Sequence, residues 1–315
     1  MSGRQILVLR QKIHGTDAEV YRDELAQRLP DHDVILARTP DEERDALCTA
    51  SVATGLTLSP ADLEDADNLE LFACVFAGTD HLELDAFEEH GVAVTNASGV
   101  HRANMSEYTV GAMVALSRQF PRAWRQKQSR TWQSYPVREL QDSTAVVVGI
   151  GAIGQAVVSR LDAFGVDTVG VRYSPEKGGP TDETYGFDEI HEAVAEADYV
   201  IVACRLTEAT EGLIDADVLM TVPSDAFLIN VARGPVVDTE ALVDAFRTND
   251  LGGAALDVTD PEPLPADHPL WTFENVMITP HNAGNTPEYF ARRADILAEN
   301  VAALDADDDL TNRVV

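Results

Sequence analysis

Lysine is almost missing from this chain of 315 residues. Of 23 basic side chains only Lys12, Lys127 and Lys177 are lysines, set against 54 acidic ones, so the formal net charge is −31. Phosphate contact needs a basic face, so no nucleic-acid partner is expected. An anionic membrane surface would repel the same charge. No apolar run approaches the ~20 residues of a membrane span, and the short apolar stretch Ile6–Leu9 is too brief for a signal peptide. The three cysteines, Cys48, Cys74 and Cys204, form no CxxC pair and read as free thiols in a reducing cytoplasm. The eight histidines show no HxH or HExxH spacing, so no metal is expected.

Acid in excess with lysine nearly absent reads as adaptation to a salty cytoplasm. At ~1 M salt the Debye length shrinks to about 3 Å and the self-repulsion is largely screened. Hydrophobic residues make up 45% of the chain, enough to exclude wholesale disorder. At ~150 residues per domain the length suggests about two domains.

Short apolar runs alternate with polar segments of helical composition. Gln5–Leu9, Asp33–Ala37, Ser51–Leu56, Leu71–Phe76 and Val92–Thr95 read as strands, with helices such as Asp17–Arg28 and Asp85–His90 between them. That order predicts an α/β fold with a parallel sheet. A long helical stretch begins near Arg102 and runs toward Ser129. The alternation then restarts at Thr144–Gly149 and continues through Thr168–Arg172, Tyr199–Ala203, Ala226–Asn230, Gly253–Asp257 and Val276–Thr279, the strand count of a dinucleotide-binding sheet. A last helix is expected at about Pro287–Leu304, followed by a solvated acidic end at Asp305–Asp309.

Gly149-Ile150-Gly151-Ala152-Ile153-Gly154 is a GxGxxG. It follows an apolar strand and opens a helix (Gln155–Phe164), the context that gives the motif its meaning. The first glycine allows a tight turn, the second lets backbone approach a pyrophosphate, and the third lets helix and strand pack closely. An acidic residue about 20 positions on would accept ribose hydroxyls and select NAD. Arg172 stands there instead, followed by Tyr173 and Ser174, with Lys177 nearby. A guanidinium pairs with a 2′-phosphate that a carboxylate would repel. The expected cofactor is therefore NADP(H), with NAD(H) accepted less well.

Three further segments carry titratable groups next to strand ends: Asn230–Gly234 with Arg233, Leu256–Pro263 with Asp257 and Glu262, and Thr279–Gly284 with His281. A guanidinium suits bidentate capture of a carboxylate. A histidine paired with a carboxylate is a general acid/base.

In these segments the chain resembles the D-isomer-specific 2-hydroxyacid dehydrogenases over nearly its whole length. The resemblance implies two Rossmann-like domains with the active-site cleft between them. One is a flavodoxin-like substrate domain from residues 1–98 plus 285–315, the other a dinucleotide-binding domain from 99–284. It implies that Arg233 binds the keto-acid carboxylate and polarises the carbonyl, that His281 donates a proton, and that Glu262 holds His281 and favours its charged form. It assigns Asp257 to the nicotinamide carboxamide. It places Phe76, Ala77 and Gly78, in the run ending at Thr79-Asp80, around the substrate carboxylate. It brings Met105, Val231, Ala232 and Gly284 to the cofactor, together with the adenosine loop Cys204, Arg205, Leu206 and Thr207. Arg205 departs from the usual proline and Arg172 from the aspartate of NAD-dependent members. The resemblance also implies a homodimer through the cofactor domain, with Trp124, Trp132 and Tyr135 on the embracing segment; core packing is the other reading of those rings. The expected reaction is reversible reduction of 2-keto acids to D-2-hydroxy acids. A cofactor-sensing binding protein and a formate- or phosphite-type dehydrogenase are alternatives on the same scaffold.

Overall fold

The computed structural model describes residues 3–10, 18–79 and 81–315. Lys12, Asp17 and Asp80 lie outside the described residues. The chain divides into two units, residues 1–100 with 286–315, and residues 101–285.

The first unit holds five strands: β1 (Gln5–Val8), β2 (Asp33–Leu36), β3 (Val52–Gly55), β4 (Leu71–Cys74) and β5 (Ala93–Thr95). They pair in parallel in the order β2-β1-β3-β4-β5. The apolar runs are continuous because both faces are buried. Ile6 and Val8 pack on one face, Leu7 and Leu9 on the other. Helix Ala18–Arg28 lies against the last helix, Tyr289–Ala306, and Arg28 bridges Glu24 and Asp295 across them. Asp307, at φ 57°, ends that last helix.

The second unit holds β6 (Thr144–Val148), β7 (Asp167–Val171), β8 (Glu183–Tyr185), β9 (Tyr199–Val202), β10 (Phe227–Asn230), β11 (Gly253–Leu256) and β12 (Val276–Ile278). All pair in parallel, in the order β12-β11-β10-β9-β6-β7-β8. Side chains alternate between two cores: Val146, Val148, Val200 and Val202 face one, Ala145, Val147, Tyr199 and Ile201 the other. Each fully buried valine or isoleucine contributes about 1.5–3 kcal/mol. The strand order reverses between β6 and β9, so ligands are expected beside the carboxyl end of β6.

Two expectations need correction. The helical stretch from Arg102 breaks into Arg102–Ser117 and Phe120–Gln128. Gln119 turns left-handed at φ 51°, and Pro121, with no N–H to give, fits only the first turn of a new helix. The second sheet has seven strands rather than about six, because the short polar edge strand β8 carries no apolar run.

Candidate active site in the second unit

Parallel strands put their following loops on one edge of the sheet, and all the candidate residues of this unit but Met105 sit in those loops or at the helix start that follows. The glycine turn follows β6, Arg172 follows β7, Cys204–Thr207 follow β9, Val231–Arg233 follow β10, Asp257 follows β11 and His281 follows β12.

The turn after β6 is built for close approach. Gly149 has φ +104°, and a Cβ there would lie 2.5 Å from the Cys204 amide nitrogen. At Gly154 a Cβ would run into the carbonyl of Gly149 and lie 3.2 Å from Val147. Gly151, by contrast, faces open space. It caps helix Ala152–Leu161, whose first turn has no side-chain cap. The helix starts at Ala152, inside the motif, rather than at Gln155. An uncapped helix N-terminus beside an open backbone surface suits a pyrophosphate. Burial pushes the Cys204 thiol up to about 11, so it sits here as a small neutral side chain. Arg205 and Thr207 are exposed; the buried Thr210 hydroxyl donates to the Arg205 carbonyl (2.6 Å) and accepts from the Thr207 amide (2.8 Å). Arg172, half-buried, donates to the Gly178 carbonyl (2.5 Å), while Tyr173 is largely exposed.

The Thr279–Gly284 loop is moulded on one carboxylate. Asp257 is 2% exposed. Its Oδ1 accepts from Thr279 Oγ1 (2.5 Å) and the Asn282 amide (2.7 Å), and its Oδ2 from the Ala283 amide (2.9 Å). The His281 amide donates to the Asp257 carbonyl (2.8 Å), and His281 takes a left-handed φ of 51°. Its ring then meets Glu262: Nδ1 lies 2.7 Å from Oε1, with both side chains nearly half exposed. A carboxylate only accepts, so Nδ1 carries the hydrogen and Nε2 is the position that exchanges a proton.

Arg233 stands on the neighbouring loop, which Asn230 braces by donating to the Arg233 carbonyl (3.1 Å) and accepting from the Ala232 amide (3.0 Å). The exposed Arg233 guanidinium donates to the Ala232 carbonyl (2.6 Å). Gly234 fixes the spacing of the two loops: a Cβ there would collide with the Thr259 carbonyl and lie 2.7 Å from the Asp260 nitrogen.

Sequence reasoning missed Asn230 and Tyr108. Tyr108 hydrogen-bonds to Thr279 Oγ1 (2.6 Å), and burial raises its phenol. Met105 is half-buried on the same helix, and Asn104 donates to the Ala283 carbonyl (2.8 Å). His101 lies about 4.0 Å from where a Cβ on Gly284 would sit.

In the first unit, the loop after β4 is a separate finding. Three of its carbonyls are tied down: Val75 by the Tyr289 hydroxyl (2.9 Å), Phe76 by the Ala97 amide (3.0 Å) and Ala77 by Asn96 Nδ2 (2.8 Å). Carbonyl and N–H point in opposite directions across a trans peptide. Anchoring the Phe76 and Ala77 carbonyls therefore turns the N–H groups of Ala77 and Gly78 the other way. Among the described residues no acceptor meets either amide.

Trp124 and Trp132 are not core residues. Trp124 is 63% exposed and Trp132 fully so, while Tyr135 lies half-buried under Arg122, 4.8 Å from its ring centre. No helix among the described residues is long and apolar enough to cross a membrane, and no cluster of three or more His, Cys, Asp or Glu among them is placed to hold a metal.

Residues 110–283 match the family model of the D-isomer specific 2-hydroxyacid dehydrogenase NAD binding domain. The chain is 34% identical over 295 residues to a glyoxylate reductase of Thermofilum pendens, covering 90% of this chain and 81% of that one. It is 34% identical over 241 residues to a glyoxylate reductase/hydroxypyruvate reductase of Homo sapiens, covering 74% and 73%. Among solved structures, a D-isomer specific 2-hydroxyacid dehydrogenase from Xanthobacter autotrophicus in complex with NADPH and MES shares the fold with a TM-score of 0.80 and 27% identity, covering 100% of this chain and 98% of that one. With its two parallel α/β sheets and an NAD-binding domain ending in these loops, the chain belongs to the D-isomer specific 2-hydroxyacid dehydrogenase family of oxidoreductases.

Proposed function

We propose that this chain reduces small 2-keto acids to D-2-hydroxy acids, reversibly, with NADPH preferred and NADH accepted less well. The observation that carries the reading is the Glu262–His281 pair: an imidazole held at Nδ1 by a carboxylate, with Nε2 left for proton exchange. The nicotinamide cofactor, when bound, supplies the hydride that adds to the keto carbon. His281 Nε2 gives its proton to the carbonyl oxygen, which becomes the hydroxyl, and Glu262 holds the ring in place through Nδ1. Arg233 pairs with the substrate carboxylate and draws electron density from the carbonyl. The amides of Ala77 and Gly78, beside Phe76, are proposed as further donors to that carboxylate.

Gly149, Gly151, Ala152, Ile153 and Gly154 hold the pyrophosphate at the helix N-terminus. Arg172, with Tyr173 and Ser174 following, stands where an acid would select NAD. Cys204, Arg205, Thr207, Val231, Ala232, Asp257, Met105 and Gly284 complete the proposed cofactor contacts. The exposed Trp124 and Trp132 favour a homodimer through this unit, working in a salt-rich cytoplasm.

The test is oxidation of NADPH against a panel of 2-keto acids in several molar KCl, with chiral analysis of the products. Turnover giving D-2-hydroxy acids supports the reading. Tight NADPH binding with no turnover of any 2-keto acid refutes it.

A further inference from the structure

The Phe76–Gly78 loop of the first unit is held by a chain of asparagines that starts far along the sequence. Residues 311–315 run antiparallel along β5. The Val314 amide donates to the Val94 carbonyl (2.7 Å), the Val94 amide to the Val315 carbonyl (3.1 Å) and the Asn96 amide to the Asn312 carbonyl (3.2 Å), with Thr95 and Arg313 bridged between. Asn300, fully buried, grips the start of this tail: its Nδ2 donates to the Thr311 carbonyl (3.1 Å) and its Oδ1 accepts from the Thr311 amide (2.7 Å).

At Asn312 the backbone turns left-handed, φ 59°. Its Nδ2 then reaches the Asn96 carbonyl (3.2 Å) and the Ser98 carbonyl (2.9 Å). Backbone pairing alone does not require these two bonds. They clamp both sides of Asn96, whose own side chain accepts from the Ser98 amide (3.0 Å) and donates to the Ala77 carbonyl (2.8 Å). That last bond sets the plane of the peptide whose N–H belongs to Gly78.

We infer that Asn312 is a positioning residue for substrate binding: through Asn96 it fixes the Phe76–Gly78 loop so that the Ala77 and Gly78 amides face a carboxylate. The inference rests on the reading of that loop as the substrate-carboxylate site. Asn312 touches no substrate; it acts on affinity through peptide orientation, so its loss affects the keto acid and leaves hydride transfer and cofactor binding as they are.

The clean perturbation is Asn312→Gly, because glycine adopts the left-handed backbone readily while both side-chain bonds are lost. Losing hydrogen bonds of ordinary net worth predicts a rise of about fivefold to tenfold in KM for the 2-keto acid. The kcat at saturating keto acid and KM for NADPH stay at wild-type values. Oxamate, a carboxylate probe that needs no turnover, weakens by the same factor in calorimetry. Asn96→Asp, which keeps the acceptor for Ser98 and removes the donor to Ala77, produces at least as large a rise. It also keeps the inference testable if Asn312→Gly fails to fold. Unchanged KM and oxamate affinity in a folded variant overturn the inference. So does a loss spread over kcat and KM for NADPH, which marks general loosening. A wild-type protein that binds oxamate but reduces no 2-keto acid refutes the proposed reaction while this inference is still decided by the oxamate arm; one that binds no oxamate overturns the inference as well.

Discussion

Replacing Gly234 by alanine perturbs the loops that carry Arg233 and Glu262 with a single methyl group. The added Cβ would sit 2.7 Å from the Asp260 nitrogen and closer still to the Thr259 carbonyl, where unstrained contact begins at about 3.4 Å. These are backbone atoms, so no side chain can swing aside. The loop bearing Arg233 and the loop bearing Glu262 must part by at least about 0.7 Å, and by more against the carbonyl. Forced overpacking of this kind costs about 1–3 kcal/mol of stability. Displacement of positioning groups by about 1 Å costs about 10²-fold in rate, or roughly 2.7 kcal/mol at 1.36 kcal/mol per tenfold. Gly234→Ala is therefore expected to fold with a lowered melting temperature and to lose about 10²-fold in kcat/KM for keto-acid reduction. Cofactor affinity should fall by less than the rate, since the turn at Gly149–Gly154 lies on another loop while only Val231, Ala232 and Asp257 sit on the displaced ones. The assay is steady-state NADPH oxidation beside NADPH titration by fluorescence. Activity within threefold of wild type would refute the argument that Gly234 sets the Arg233–Glu262 spacing.

Other substitutions and conditions bear on separate parts of the account. Glu262→Gln removes the carboxylate that holds His281 Nδ1 at 2.7 Å; kcat for keto-acid reduction should fall with NADPH affinity unchanged, and a wild-type kcat would refute the pairing. Arg172→Asp should reverse the preference from NADPH to NADH, and an unchanged KM for NADPH would remove Arg172 from the cofactor site. A net charge of −31 with three lysines predicts a melting temperature that rises between 0.1 M and 3 M KCl as self-repulsion is screened; an unchanged value contradicts salt adaptation.

The strands were readable because parallel sheets bury both faces and so leave continuous apolar runs such as Ala145–Val148 and Tyr199–Val202. Strand β8 was not, since it holds Glu183 and Thr184 beside a single ring, Tyr185, and none of the three is buried. The break at Gln119 escaped because a left-handed glutamine has no compositional mark, although Pro121 points to a new helix start. In the site, residues next to strand ends could be read from the chain order, because the fold carries those ends to one edge. The bracing groups could not. Asn230, Tyr108 and Asn96 act by bonding to a carbonyl or a hydroxyl in the folded chain, and no spacing in the sequence encodes such a partner. Gly234 could be read as part of a motif, but its function as a spacer appears only from what a Cβ would strike.

The central claim is that His281, held by Glu262, is the proton donor of a 2-keto acid reductase, and His281→Ala tests it most directly. The measurement is kcat for NADPH-dependent reduction of the best keto acid in the panel, beside NADPH affinity measured without substrate. The account predicts a fall of roughly 10²–10⁴-fold in kcat, the range for a lost general acid, with NADPH affinity unchanged. A kcat within a few-fold of wild type would contradict it.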